Sequence, residues 1–181
     1  MSRATEIMHR LPENQQIILG AEIGVRYGKN AAALLAGVPN LHMFLVDRWE
    51  KPPIGDSYYR SGDGIADRPQ GHHDKTYRST INLTMPYSER VTILKLESSE
   101  AARILRAQGI KLDFVFLDAD HSYEGVKRDI ELWLPFVERG GFISGHDYGH
   151  PRIGEVKRAV DEVFGTSVKL GSDMTWFVTI L

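Results

Sequence analysis

Short apolar runs rich in β-branched residues alternate along the chain with stretches whose apolar residues recur every three or four positions. Residues 17–24 (IILGAEIG), 41–47 (LHMFLVD), 91–97 (VTILKLE), 112–119 (LDFVFLDA) and 141–147 (GFISGHD) are of the first kind and are predicted to be strands. Residues 29–36, 98–108, 123–137 and 154–164 are of the second kind and are predicted to be helices. Gly37 and Pro39 stop the first of these helices, and Ser98 or Ser99 is the expected N-cap of the second. Val126, Ile130, Trp133 and Val137 fall on one stripe, and Val156, Val160 and Val163 are expected to face inward. Residues 74–85 read as a further helix, and two short strands are expected around SVKL and TWFVTIL in the tail.

Strand–helix alternation implies right-handed crossovers and a parallel sheet covered by helices on both faces. The expected fold is α/β: a doubly wound, Rossmann-like, mostly parallel sheet in a single domain spanning residues 1–181. In such sheets ligands bind outside the carboxyl ends of the strands. Polar residues gather there: Glu22 and Gly24, Asp47, Glu97 and Ser98, then Asp118, Asp120 and His121, then His146 and Asp147. Residues 48–73 break the rhythm, with no periodicity, three prolines and the aromatics Trp49, Tyr58 and Tyr59. Because this segment follows the second strand, it is expected to hang over the ligand edge as a lid-like insertion. His72 and His73 lie in it and are expected to be solvent-exposed.

Composition narrows the function classes. The 181 residues are 42% hydrophobic and 25% charged, ordinary for a globular domain. A formal net charge of -2 and the lack of a basic stripe speak against nucleic-acid and membrane-surface binding. No cysteine is present, which excludes disulfides, thiolate metal sites and a cysteine nucleophile. Residues 1–16 contain no apolar run and no stretch is long enough to span a bilayer, so a soluble, cytoplasmic protein is expected.

The first glycine turn reads Glu22-Ile23-Gly24-Val25-Arg26-Tyr27-Gly28. It is neither the glycine pattern of a dinucleotide site nor a phosphate-binding P-loop, which argues against an NAD-dependent oxidoreductase. A carboxylate two residues before the glycine suits an ammonium group better than a pyrophosphate. Asp47 lies near the distance at which an acid takes ribose hydroxyls. A ribose carrying an amino-acid arm and no phosphate is S-adenosylmethionine.

The stretch LDFVFLDADHSYEGVKRDIELWLPFVERGGFISGHDY at 112–148 carries D-x-D-H-x-Y-E-x-V and G-G-x-x-x-G-H-D elements. On these the chain resembles class I S-adenosylmethionine-dependent methyltransferases, in particular a small bacterial and phage group with the metal-assisted O-methyltransferase pattern. The resemblance implies a seven-stranded sheet with its last strand antiparallel. It implies a cofactor set of Glu22, Ile23, Gly24, Gly28, Asp47, Arg48, Glu97, Ser98 and Asp118. Within it Glu22 and Gly24 flank the methionine part, Asp47 holds the ribose, and Glu97 to Ser99 border the adenine. It also implies Mg²⁺, or Mn²⁺, held by Asp118, His146 and Asp147, although the family commonly has a carboxylate or amide where His146 stands. Related enzymes are often dimers, so a homodimer is the assembly the resemblance implies.

His121 is the candidate general base, since an imidazole accepts a hydroxyl proton near neutral pH. Asp120 or His121 can alternatively cap the helix that begins near Tyr123. The function expected is O-methylation of a small hydroxylated acceptor, a sugar or secondary metabolite. The competing expectations are a non-catalytic cofactor-binding domain and the NAD-dependent oxidoreductase.

Overall fold

Every strand but the last runs the same way, and the carboxyl ends of the first five open onto one edge. The computed structural model describes residues 1–181, apart from the side chain of Arg60. The strands are β1 (Ile18–Ile23), β2 (Leu41–Asp47), β3 (Val91–Lys95), β4 (Leu112–Leu117), β5 (Val137–Gly145), β6 (Lys169–Leu170) and β7 (Trp176–Thr179). They form one sheet in the order β3-β2-β1-β4-β5-β7-β6, with β7 antiparallel to both β5 and β6. The helices are α1 (Arg3–Met8), α2 (Lys29–Gly37), α3 (Gln70–Thr84), α4 (Ser98–Ala107), α5 (Tyr123–Trp133) and α6 (Glu155–Phe164).

Alternation along the central strands builds two cores. Val115 and Leu117 of β4 join Ala21, Ile23 and Ile143 against α4, α5 and α6. Phe114 and Phe116 point the other way, joining Met43, Leu45 and Phe142 against α1 and α2. Burial on both faces explains why β4 reads as a continuous apolar run.

Several boundaries differ from the sequence reading, each for a local reason. The helix expected over 123–137 ends at Trp133, and Pro135 turns residues 134–136 into a 3-10 turn before β5 begins at Val137. The helix expected from residue 74 starts at Gln70, so the end of the aperiodic segment is helical. Val163 is 38% exposed rather than inward, while Val156 and Val160 are buried. α1, at six residues, is too short for the apolar pattern to predict it. Among the described residues no helix is long and apolar enough to cross a membrane.

Candidate active site

The turn after β1 shapes the floor of the site. Gly24 has φ +89°, and a Cβ there would lie 2.1 Å from the Asp118 carbonyl oxygen. Only glycine lets β1 and the end of β4 approach this closely. Glu22 is buried at 2% exposure, with one oxygen accepting from Asn30 Nδ2 at 3.2 Å and the other, Oε2, unpartnered. Burial, with the Asp118 charge adding, pushes its pKa up to about 8 against the opposing Asn30 bond. Gly28, at φ +73°, packs against Thr80 of α3 and begins α2.

Asp47 ends β2 and accepts two backbone N–H groups, from Arg26 at 2.8 Å and Trp49 at 2.7 Å. Burial raises its pKa, and those N–H groups oppose the rise. Arg48 does not stand free beside it: its guanidinium joins Asp56 at 3.0 Å and Glu97 at 2.9 Å. Ser98 does not cap α4. The N-cap is Glu97, without a side-chain bond, while the Ser98 hydroxyl donates to Asp129 Oδ1 at 2.6 Å and accepts from Trp133 Nε1 at 2.9 Å. Asp129 is itself a cavity residue that the sequence reading missed; burial pushes it up to about 6, against the Ser98 bond.

At the ends of β4 and β5 six charged or titratable side chains close a ring. His121 Nε2 lies 3.3 Å from Asp118 Oδ1 and 3.2 Å from Asp147 Oδ2. His146 Nδ1 lies 3.2 Å from Asp147, and its Nε2 is 3.6 Å from Asp173. Arg3 closes the circle, 3.6 Å from Asp173 and 2.5 Å from Asp118 Oδ2. Acid and base alternate all the way round. Asp147, Asp173 and Met174 all take left-handed backbone angles without being glycine. Such strain recurs where function holds a side chain in place.

Burial disfavours the charged form of His121, but the carboxylates of Asp118 and Asp63 beside its two ring nitrogens, with Asp147 adding charge, push its pKa up to about 10. Burial opposes the His146 imidazolium too, yet Asp147 and Asp118 raise it. Asp147 is lowered by the two imidazoles in spite of burial. Neither Asp120 nor His121 caps α5. Ser122 does, accepting from Gly125 N, while Asp120 accepts from the Ser122 N–H and from Ser57 Oγ.

The 48–69 stretch is anchored at particular residues, although Ile54 and its neighbours are exposed. Trp49 is buried, Tyr58 donates to Asp63 at 2.6 Å, and Asp63 Oδ2 lies 3.4 Å from His121 Nδ1. His73 is 7% exposed, not solvent-facing as expected. Together these elements enclose a cavity of about 870 Å³ lined by Arg3, Glu22, Asp47, Glu97, Asp118, His121 and Asp147 among others. That is room for a cofactor and a small second molecule.

Asp118, His121 and Asp147 present donor atoms within 4.8 Å of one another, the spacing of a metal site. Two carboxylates and an imidazole fit a divalent ion such as Mn²⁺ or Mg²⁺. His146, expected as a ligand, sits further from Asp118, at 3.9 Å, than His121 does.

A nearly parallel sheet of this strand order, with acids at the ends of β1, β2 and β4 around one cavity, defines the class I methyltransferase architecture. A family model described as a methyltransferase domain matches residues 21–148, and the chain belongs to that family. The fold is similar to that of the calicheamicin methyltransferase CalS11 (TM-score 0.71, 16% identity, 97% of this chain and 76% of that one). It is also similar to that of the O-methyltransferase NovP (TM-score 0.61, 17% identity, 98% and 76%). Uncharacterized protein R132 of Acanthamoeba polyphaga mimivirus is 29% identical over 79 residues, 43% of this chain. The match spans 36% of that relative.

Proposed function

We propose that the protein transfers a methyl group from S-adenosylmethionine to a hydroxyl of a small acceptor. The observation that carries this reading is the convergence of Glu22, Asp47, Asp118, His121 and Asp147 on one cavity. Glu22 suits the cofactor ammonium, Asp47 the ribose hydroxyls, and Glu97 and Ser98 the adenine edge. The acceptor oxygen attacks the sulfonium methyl; the O–C bond forms as the C–S bond breaks, leaving S-adenosylhomocysteine. Aligning the two reactants is the main task, worth roughly 7–11 kcal/mol. His121 takes the hydroxyl proton, and Asp63, Asp118 and Asp147 stabilise the imidazolium it becomes. The same carboxylates hold that proton in the free protein, so His121 must release it before each turnover. A divalent ion on Asp118 and Asp147, with His146 beside them, would supply positive charge that lowers the pKa of the acceptor hydroxyl. The stretch over the cavity acts as the lid, since Tyr58 and Asp63 reach His121 from it.

A second reading is favoured by the Asp118–His121–Asp147 grouping: His121 is itself a metal ligand, and the hydroxyl loses its proton to solvent. Calorimetric titration with S-adenosylmethionine and S-adenosylhomocysteine, with and without Mn²⁺, tests the function. Micromolar binding of both supports it; failure of both to bind overturns it.

A further inference from the structure

We propose that Arg26, Lys29, His72 and His73 form a binding corner for a phosphate group carried by the acceptor, an inference that rests on the methyltransferase reading. All four line the cavity. Two helices open onto this corner. α2 starts at Lys29 and α3 at Gln70; neither has a side-chain cap or an acid in its first turn. Helix N-termini carry partial positive charge and exposed N–H groups, and they ordinarily attract acids. Here both first turns carry bases instead, an arrangement that an anion stabilises.

Arg26 adds an independent sign. Its φ is 54°, left-handed, at a position glycine would occupy without strain. The backbone is pinned there: its N–H donates to Asp47, and its carbonyl accepts from Trp49 Nε1 at 2.9 Å and Thr80 Oγ1 at 3.0 Å. A strained position that nonetheless carries a long cation points to use of that cation. The Tyr27 ring gathers the group, with the Arg26 guanidinium 5.2 Å and the Lys29 ammonium 5.8 Å from its centroid and the His72 ring edge-on at 6.1 Å. Among the described residues neither cation has a carboxylate partner, whereas Arg3 and Arg48 each have two.

His73 is more than nine-tenths buried, and its Nε2 has no hydrogen-bond partner; nor has Nε2 of His72. Burial, and then the charges of Arg26, His73, Arg68 and Lys75, lower the His72 pKa, as expected where positive charge is uncompensated. Asp47 feels His73, but its oxygens already serve the N–H groups of Arg26 and Trp49. Two cations without a carboxylate partner, two helix termini and two imidazole nitrogens without a hydrogen-bond partner match a phosphate dianion.

The test titrates inorganic phosphate and pyrophosphate into protein saturated with S-adenosylhomocysteine. Wild type is expected to bind pyrophosphate, and the Arg26→Gln/Lys29→Gln protein to bind it at least about tenfold more weakly. Arg26→Gly, which relaxes the backbone while removing the cation, is expected to weaken it too. Affinity for S-adenosylhomocysteine should stay within about threefold in both. No binding of either probe by the loaded wild type overturns the proposal. So does a variant that loses S-adenosylhomocysteine but keeps 5′-methylthioadenosine, because the corner then holds the cofactor's own carboxylate. If wild type binds no S-adenosylhomocysteine, the methyltransferase reading fails. Pyrophosphate titrated into the unloaded protein then decides the corner alone.

Discussion

Arg3 places its guanidinium 2.5 Å from Asp118 Oδ2, while the other oxygen of that carboxylate faces His121 at 3.3 Å. One carboxylate is thereby divided between a fixed cation from α1 and the ring of titratable groups at the ends of β4 and β5. The Arg3 side chain is 28% exposed and docks with the rest of its helix: Glu6 accepts from the Ser172 N–H at 3.0 Å and hydroxyl at 2.8 Å.

Arg3→Ala is therefore expected to leave the fold intact, at a cost below about 1 kcal/mol for a partly exposed ion pair. It should also tighten Mn²⁺ binding at Asp118 and Asp147 roughly fivefold, by removing about 1 kcal/mol of charge repulsion. Paramagnetic resonance titration of free Mn²⁺ reads this directly. Weaker binding in the variant would mean that Arg3 serves chiefly to orient Asp118.

The ring also sets a pH dependence. His121 is pushed up to about 10 in the folded chain, above the ordinary value of 6.5 it regains on unfolding. The folded state binds the extra proton, so this stability is complete below about pH 6.5 and is lost as pH rises toward 10. Urea midpoints at pH 6 and pH 9 should fall in the wild type and fall less in His121→Gln. An equal fall in both proteins would remove His121 as the source. Under the proposed chemistry the methyl-transfer rate without metal should rise with pH over the same interval.

The alternating pattern made the parallel sheet legible, and with it the edge where Glu22, Asp47, Asp118 and Asp147 meet, because strand ends are local features. The partners of these residues were not legible. Arg3 comes from a six-residue helix too short to show a period, and Asp173 from a left-handed turn shared with Met174, a residue with no preference for those angles. Asp63 and Ser57 reach the site from an aperiodic stretch. Ser98 looked like a cap because a serine before a helical run usually is one. The buried pair Asp129 and Trp133, more than thirty residues away, turns its hydroxyl inward. His73 falls in the aperiodic segment, which makes exposure the expectation, yet α3 packs it against the site.

Glu22 predicts a proton count for cofactor binding. With its pKa near 8 it is largely protonated at pH 7. An ammonium group docked on its unpartnered oxygen favours the carboxylate, so binding should release a proton. Calorimetry of S-adenosylhomocysteine in buffers of different ionisation enthalpy should give close to one proton at pH 7 and fewer above pH 8. Glu22→Gln should abolish the release and weaken affinity about 10- to 100-fold, the range for a charge-assisted hydrogen bond. Unchanged proton release in the variant would locate the ammonium elsewhere.

Gly24 and Gly64 separate a backbone requirement from a general sensitivity to added bulk. At Gly24 a methyl group would meet the Asp118 carbonyl oxygen at 2.1 Å and the Ala119 Cα at 2.6 Å, and φ is +89°. At Gly64 a methyl group would meet nothing within 4 Å, and φ lies outside the left-handed range. Gly24→Ala must push apart the ends of β1 and β4, at a cost of about 1–3 kcal/mol for overpacking and a further 1–2 kcal/mol for the left-handed angle. The displacement falls on Asp118, so S-adenosylhomocysteine binding should weaken together with stability. Gly64→Ala should stay within about 0.5 kcal/mol of wild type and bind normally. Denaturant unfolding and calorimetry on the two variants check both halves. If Gly24→Ala were as stable as Gly64→Ala, β1 and β4 would have to separate more freely than the packing around Ile23 and Leu117 allows.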